Sequence, residues 1–318
     1  MPNTSVAVEN NTGLARKTIG FFKQKQSRNA RTGWAPYWFV LPIIVVFIVL
    51  FLIPLIESFY YSLTNYNGYV APQFIGFGNY LAIWSDPSML TALGFTLIYA
   101  ISTTVIITVL AIPLALAFNR KFFARSAVRS IFFFPAVPSV AILGLVWGFI
   151  LNPLGSGALN YLIGLIGLAP IPWTSNGVLA QVSVILVGVW SATGWHAMLY
   201  LAYLQAIPTD IFEAADIDGA SRWQKTRHLT IPLLTPAMAV SQLLLLTGGL
   251  KVYDLPFTLT KGGPGFSTRT LTQSIIESGI AQGEYGKASA LAVLFFLVVG
   301  FIVVAQLVFS KKIQDRYS

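Results

Sequence analysis

The amino-acid sequence predicts an all-α integral membrane protein with six transmembrane helices. Its composition supports this class, because 55% of the 318 residues are hydrophobic and only 10% are charged. A soluble domain carries about 25% charged residues, and one as apolar as this chain would expose large hydrophobic patches to water. The second observation is that the apolar residues are grouped in long segments, which give the helix count.

Six apolar segments are long enough to cross a bilayer. A transmembrane helix needs about 20 mostly apolar residues to cross ~30 Å of hydrocarbon. Aromatic residues flank the first segment, Trp38 and Tyr60 among them, and they suit the two membrane–water interfaces. The predicted spans cover residues 38–60, 93–118, 131–151, 179–204, 233–253 and 288–309.

The distribution of Lys and Arg predicts the orientation of the spans. Residues 1–36 contain six basic residues, loop 119–130 contains four and loop 205–232 contains three. Loops 63–90 and 152–178 contain none. Because basic residues concentrate in cytoplasmic loops, both termini are expected in the cytoplasm. The net charge of +9 therefore follows mostly from membrane topology, and nucleic acid is not an expected partner.

Three regions follow from this topology. Residues 1–36 are a basic cytoplasmic tail, either unstructured or with a short amphipathic helix around 19–22. Residues 37–310 form the six-helix membrane domain, and residues 311–318 are a second cytoplasmic tail.

Several kinds of catalytic or cofactor site have no sequence support. The chain has no cysteine, no GxxxxGK[ST] phosphate loop and no HExxH metal motif. Its two histidines, His196 and His228, are too few and too far apart in the sequence for a metal site. We therefore expect no enzyme activity, no metal and no cofactor in this chain.

The loop at 205–232 is dense in helix-boundary signals. Pro208 ends the incoming helix, and Asp210 with Glu213 forms the pattern of a capping box at the start of a new one. Gly219 suits the end of that helix, and Ser221 can cap a second. The residues predict two short helices on the cytoplasmic surface. From physical reasoning alone, a docking site and a simple connector both remain open.

The same loop carries a recognisable motif. The letters EAA at 213–215, Gly219 four residues later and IPL at 231–233 resemble the "EAA" loop of bacterial ABC importer permeases. The longer run EAADIDGA, at 213–220, is similar to the version in the maltose and glycerol-phosphate type branch.

Other segments resemble that branch in the same order along the chain. FIGFGNY at 74–80 resembles its "FVGLxNY" segment, and GGPG at 262–265 resembles the start of its "GGPGxxTxxL" loop. YGKASA at 285–290 resembles the "YGxASA" entry to the last helix. The resemblance covers about residues 35–310.

The resemblance implies a type I ABC importer permease fold in a bacterial plasma membrane. A second, similar permease would complete the pathway for a carbohydrate, two ATP-binding subunits would hydrolyse Mg-ATP, and an extracytoplasmic binding protein would deliver substrate. The loop would form the coupling helix that docks in a cleft of the ATPase. The docking residues implied are Glu213, Ala214, Ala215, Asp218 and Gly219, extended by Arg222 and Trp223.

In related permeases the fourth and fifth helices line the substrate cavity. Sugars stack on aromatic faces and need polar partners in a confined space. Two of the candidates, Lys251 and Asp254, could instead form an ion pair with each other. The two candidate tryptophans, Trp190 and Trp195, could instead be packing residues. The candidate pathway residues are Trp190, Trp195, Gln242, Thr247, Lys251, Tyr253 and Asp254.

Two other classes of protein are alternatives. A secondary transporter would need a coupling-ion site, usually of buried carboxylates or broken helices in symmetric halves. Glu57 and Asp254 are the acids near the helices, and both are expected close to the outer side. An intramembrane enzyme would need a nucleophile–base pair or a metal cluster, and the sequence shows neither.

Overall fold

The computed structural model describes residues 35–317, and the predicted tail helix around 19–22 lies outside this range. Regular structure in the described part is helical, with one isolated antiparallel bridge between Thr64 and Phe74. The chain divides into two compact units, residues 1–55 and 56–318. The first unit contains α1 (Ala35–Phe47), a π-helical turn (Ile48–Leu52) and the start of α2 (Ile53–Tyr61).

The second unit contains the remaining helices, of which three are long. The helices are α3 Gly78–Trp84, α4 Pro87–Asn119, α5 Arg125–Phe133, α6 Val140–Ile150, α7 Ala158–Leu165, α8 Gly177–Ala206, α9 Thr209–Ile217, α10 Arg222–Lys225, α11 Ile231–Leu233, α12 Thr235–Leu250, α13 Asp254–Thr260, α14 Leu271–Ile276 and α15 Tyr285–Tyr317. A 3₁₀ turn (Phe134–Ala136) follows α5, and π-helical turns follow α10 (Thr226–Thr230) and α14 (Glu277–Ala281).

The membrane-spanning segments are of two kinds. Four continuous helices are long and apolar enough to span: Trp38–Tyr61, Pro87–Asn119, Gly177–Ala206 and Tyr285–Asp315. Two further segments are bent pairs of helices, so the described chain has six spans if each pair counts as one. The last span continues as helix through residues 311–317, beyond the predicted end of the membrane domain.

Two of the six spans are sharply bent, in the regions predicted as residues 131–151 and 233–253. The third span bends by 92° between Arg125–Ala136 and Val140–Ile150, and the fifth bends by 62° between Arg222–Leu233 and Thr235–Leu250. Pro138 lies in the first break, where its missing N–H and its ring prevent the helical ladder from continuing.

The core of the second unit lies where α4, α8 and α12 pack together. Large side chains such as Phe95, Tyr200 and Leu201 are buried there. Small residues between them, including Ala100 and Ala197, are fully buried and let the helices approach closely. This packing fixes α8 and α12 against α4.

The segment between α13 and α15 is held in place by hydrogen bonds and an ion pair. The Thr268 hydroxyl donates to the Gly263 carbonyl at 2.9 Å, and Arg269 forms an ion pair with Glu277. The Leu271 amide donates to Thr96 Oγ1 on α4 at 3.0 Å. These bonds fix the segment to the end of the bundle at which α4 begins.

Asp86 caps α4 at this same end. Its carboxylate accepts hydrogen bonds from the Ser88 amide at 2.9 Å and the Ser88 hydroxyl at 2.7 Å. The Ser88 bonds, aided by Lys287 at 3.6 Å, hold the pKa of Asp86 below its usual range. A carboxylate that stays ionised satisfies the free Ser88 amide in the first turn of α4.

Candidate functional site

Two short helices, α9 and α10, lie between α8 and α12 along the chain and form one surface; we call it the 209–225 surface. Helix α9 begins at Thr209, and Pro208 at its N-cap makes no side-chain hydrogen bond. The predicted capping box of Asp210 and Glu213 is therefore wrong, because the helix starts two residues earlier than that pattern requires. Asp210 lies instead in the first turn, where the helix dipole favours a negative charge.

The end of α9 follows the prediction. Gly219 has φ +72°, a left-handed conformation that costs little for glycine. The Ala220 amide donates to the Ala215 carbonyl at 3.0 Å and the Gly219 amide donates to the Asp216 carbonyl at 3.1 Å, which is a Schellman motif. A Cβ atom at Gly219 would meet no heavy atom within 4 Å. The turn is therefore open on the side that such a side chain would occupy.

Helix α10 is joined firmly to α9. As predicted, Ser221 caps it: Ser221 Oγ accepts from the Gln224 amide at 3.3 Å, and Gln224 Oε1 accepts from the Ser221 amide at 2.7 Å. Lys225 Nζ lies 2.5 Å from Asp216 Oδ1, an ion pair between the two helices. The 209–225 surface is thus held together by a turn, a capping box and an ion pair.

The 209–225 surface exposes apolar side chains beside charged ones. Ile217 is 88% exposed and Trp223 is 67% exposed, although both are large and apolar. Exposed apolar groups surrounded by polar residues are typical of a protein contact site. Of the residues predicted to dock, Ala215 is buried; the exposed ones are Glu213, Ala214, Asp218, Gly219, Arg222 and Trp223.

A cavity of about 280 Å³ lies between α4, α6, α8 and α12; we call it the bundle cavity. Its polar lining groups come from Tyr99, Thr103, Ser191 and His196. His196 is buried, and its Nδ1 lies 2.8 Å from the Ser241 hydroxyl. No lining residue is an acid, a lysine or an arginine, so the cavity suits a neutral ligand with hydroxyl groups.

Four predicted pathway residues lie at the end of α12 and the start of α13. The Thr247 hydroxyl donates to the Leu243 carbonyl of its own helix at 2.6 Å. Tyr253 stacks on Phe257 with ring centroids 5.1 Å apart. Lys251 and Asp254 are both exposed, and the ion pairs of residues 38–315 do not join them. The alternative of a neutralising Lys251–Asp254 pair therefore has no support.

The other three predicted pathway residues are dispersed. The Trp190 ring packs edge-on against Trp147 at 5.3 Å, and it lines a separate, mostly apolar cavity. The Trp195 ring packs edge-on against His196 at 4.7 Å, which places it beside the bundle cavity. Gln242 lines a third cavity near the first half of α12. The structure does not bring the seven residues into one site.

The polar residues of the bundle cavity were absent from the prediction. Each is a polar side chain within an otherwise apolar span, and that was the available signal for Thr103, Ser191 and His196. Within residues 38–315, no group of three His, Asp or Glu side chains lies close enough together for a metal site.

Comparison with known families identifies a match over much of the chain. Residues 107–314 match the family model described as "Binding-protein-dependent transport system inner membrane component".

Several curated relatives match over most of their own length. The probable starch degradation products transport system permease protein of Thermoanaerobacterium thermosulfurigenes is 35% identical, covering 87% of this chain and 94% of the relative. The multiple sugar-binding transport system permease protein of Streptococcus mutans is 33% identical, covering 90% and 97%. The trehalose/maltose transport system permease protein of Thermococcus litoralis is 31% identical, covering 87% and 93%.

Solved structures share the fold. A chain of a bacterial ABC transporter involved in the import of the acidic polysaccharide alginate superposes with a TM-score of 0.77 at 23% identity, covering 88% of this chain and 96% of that one. A chain from the bacterial alginate ABC transporter in complex with an alginate pentasaccharide-bound periplasmic protein gives the same TM-score at 25% identity, with coverages of 88% and 95%.

Proposed function

Because the chain belongs to the family of binding-protein-dependent transport system inner membrane components, we propose that it forms half of the translocation pathway of an ABC importer for a neutral carbohydrate. The observation that carries the proposal is the 209–225 surface, which exposes Ile217 and Trp223 between two spans that line the bundle cavity. A surface so placed can transmit a movement of a bound partner to the cavity walls.

The proposed partners follow from this arrangement. Two ATP-binding subunits dock on the 209–225 surface and on its counterpart in a second permease, and an extracytoplasmic binding protein delivers the sugar. Both termini lie in the cytoplasm, as the basic loops indicate. Mg-ATP belongs to the partner subunits, and this chain needs no cofactor of its own.

The docking role in this proposal falls on the exposed residues Glu213, Ala214, Asp218, Gly219, Arg222 and Trp223, with Ala215 packed beneath them. When ATP draws the two ATPases together, the 209–225 surface moves with its ATPase as a rigid body. Since α9 directly follows α8 and α10 leads into the fifth span, this motion re-orients two walls of the bundle cavity. The contacts between the subunits differ between the states with and without ATP, so each state stabilises one arrangement of the cavity walls.

The carbohydrate substrate is supported by two observations. Relatives at 31% to 35% identity are named for starch degradation products, multiple sugars, and trehalose or maltose. The bundle cavity offers hydroxyl and imidazole groups, with Trp195 beside them, and no charged lining residue. Such groups bind neutral polyhydroxyl compounds by hydrogen bonds and stacking. A Na⁺ or H⁺ symporter is not favoured, since no acid lines this cavity.

Filling the bundle cavity is expected to block import. Gly248 lines the cavity, and a Cβ there meets nothing within 4 Å, so Gly248→Leu places its side chain in open space. We expect sugar uptake into proteoliposomes to fall by about tenfold or more, because a misfit in a binding pocket costs about 1–3 kcal/mol. ATP hydrolysis without binding protein should be unchanged.

The assay uses the full complex, with its ATPase and binding protein, and a panel of glucose oligomers and other neutral sugars. Gly164→Leu is the matched control, since Gly164 lies on α7 with equally open space around its Cβ position. Equal uptake by the two variants would remove the bundle cavity from the pathway. Uptake driven by an ion gradient without ATP would contradict the importer proposal itself.

A further inference from the structure

A third cavity, of about 230 Å³, lies between the fifth span and the last turns of α15; we call it the Arg227 cavity. It is separate from the bundle cavity and lies near the start of α12, at the end of that helix next to the 209–225 surface. Its lining combines Arg227, Thr235, Gln242 and Ser310 with apolar residues such as Phe309. One wall is therefore cationic and polar, and another is apolar.

Arg227 offers a free positive charge to this cavity. Arg227 is exposed, and it takes part in none of the ion pairs of residues 38–315. Lys311 and Lys312, also exposed, follow Ser310 at the same end of α15. Their charges raise the local positive potential, so the ligand that the cavity attracts is an anion.

The polar groups beneath Arg227 are ordered by α15. Gln306 Nε2 donates to the Ala239 carbonyl at 3.2 Å and to the Ser310 hydroxyl at 3.4 Å. Ser310 lines the cavity, so α15 presents an ordered hydroxyl to the ligand.

We propose that the Arg227 cavity binds the phosphate headgroup of an anionic phospholipid. The cavity lies at the ends of the predicted spans 233–253 and 288–309, beside basic residues. With the proposed orientation, this is the level of the headgroups in the cytoplasmic leaflet. Arg227 pairs with the phosphate, and Phe309 with Met238 contacts the first carbons of the lipid. Soluble phosphate would share the charge contact but would leave the apolar wall unused.

This placement rests on the cytoplasmic orientation proposed above, and it adds a structural consequence. Arg227 lies within the π-helical turn Thr226–Thr230, two residues beyond the ion-paired Lys225. A lipid held by Arg227 would link this turn to α15. Lipid occupancy would thus bias how freely the 209–225 surface moves.

The test is native mass spectrometry of the detergent-purified complex, titrated separately with phosphatidylglycerol, phosphatidylcholine and inorganic phosphate. We expect wild type to prefer phosphatidylglycerol over phosphatidylcholine by about fivefold to tenfold, as one basic residue near a membrane surface provides. Arg227→Gln should abolish the preference. Arg120→Gln, which removes an exposed arginine from another basic loop, should retain it.

A second variant tests whether the cavity itself, and not only the charge of Arg227, is needed for lipid binding. Ala239→Leu narrows the cavity while Arg227 remains, and it should also reduce phosphatidylglycerol binding. Wild-type preference in either Arg227→Gln or Ala239→Leu would overturn the proposal. Displacement of the lipid by inorganic phosphate at equal concentration would also overturn it and assign a soluble ligand. The readout needs no transport, so failure here and failure of the importer assignment are distinguishable.

Discussion

Sugar import is expected to fall by about tenfold or more in the double variant Glu213→Lys, Gly219→Trp, while the permease itself stays folded. Glu213 is exposed, so reversing its charge disturbs a partner rather than the interior. The left-handed backbone of Gly219 adds about 1–2 kcal/mol of strain for any other residue, but its Cβ position is open to solvent. The indole therefore extends to where an ATPase would dock. Changes at the centre of an interface commonly cost 2 kcal/mol or more, so the loss should be large.

The measurement compares ATP hydrolysis and sugar uptake by the reconstituted complex in the presence of binding protein. Gly167→Trp is the matched control, because Gly167 has φ +77° and no heavy atom within 4 Å of its Cβ position. It carries the same backbone strain in the loop before α8. Equal uptake by the double variant and Gly167→Trp would mean that the 209–225 surface has no part in coupling.

Loss of stability, rather than loss of coupling, is the expected result of Gly194→Ala. A Cβ atom at Gly194 on α8 would lie 1.8 Å from the carbonyl oxygen of Phe132 on α5. Both sides of this contact are backbone, so relief requires the bent third span to move away from α8. Overpacking a tight contact costs about 3 kcal/mol. We expect the midpoint of thermal unfolding in detergent to fall by roughly 5–10 °C.

Gly248→Ala provides the comparison for this change. Its Cβ would meet nothing within 4 Å, and alanine is the better helix former, so its unfolding temperature should equal or exceed that of wild type. Similar unfolding temperatures for the two variants would show that α5 does not cross α8 as closely as described.

The spans, the end of α9 and the start of α10 could be predicted because their causes are local. An apolar run of sufficient length has few alternatives to a membrane helix, and Gly219 and Ser221 mark helix ends through bonds to their own neighbours. The bends of 92° and 62° were not predictable in this way. Prolines indicate where a helix can break, but packing against neighbouring helices decides how far it turns.

The substrate pathway was harder to predict, because it depends on how separate helices are rotated. Trp190 and Trp195 share one helix, yet Trp190 packs on Trp147 and Trp195 packs on His196. The groups that line the bundle cavity together come from different spans, and sequence periodicity within one span cannot align them with the others. Likewise, Asp210 matched a capping pattern, but α9 begins at Thr209, two residues before the start that this pattern requires.

The proposed docking of the 209–225 surface on an ATP-binding subunit can be tested by site-directed crosslinking. The chain contains no cysteine, so Ile217→Cys introduces one unique thiol at a position that is 88% exposed. Tyr69→Cys places the control thiol on the loop after α2, at a position that is 93% exposed and expected on the opposite side of the membrane. Each variant is labelled with a photoreactive maleimide in the assembled complex. We expect light to join the Ile217→Cys chain to the ATPase, and the Tyr69→Cys chain to give no such product. An ATPase adduct from Tyr69→Cys, or none from Ile217→Cys, would contradict the assignment.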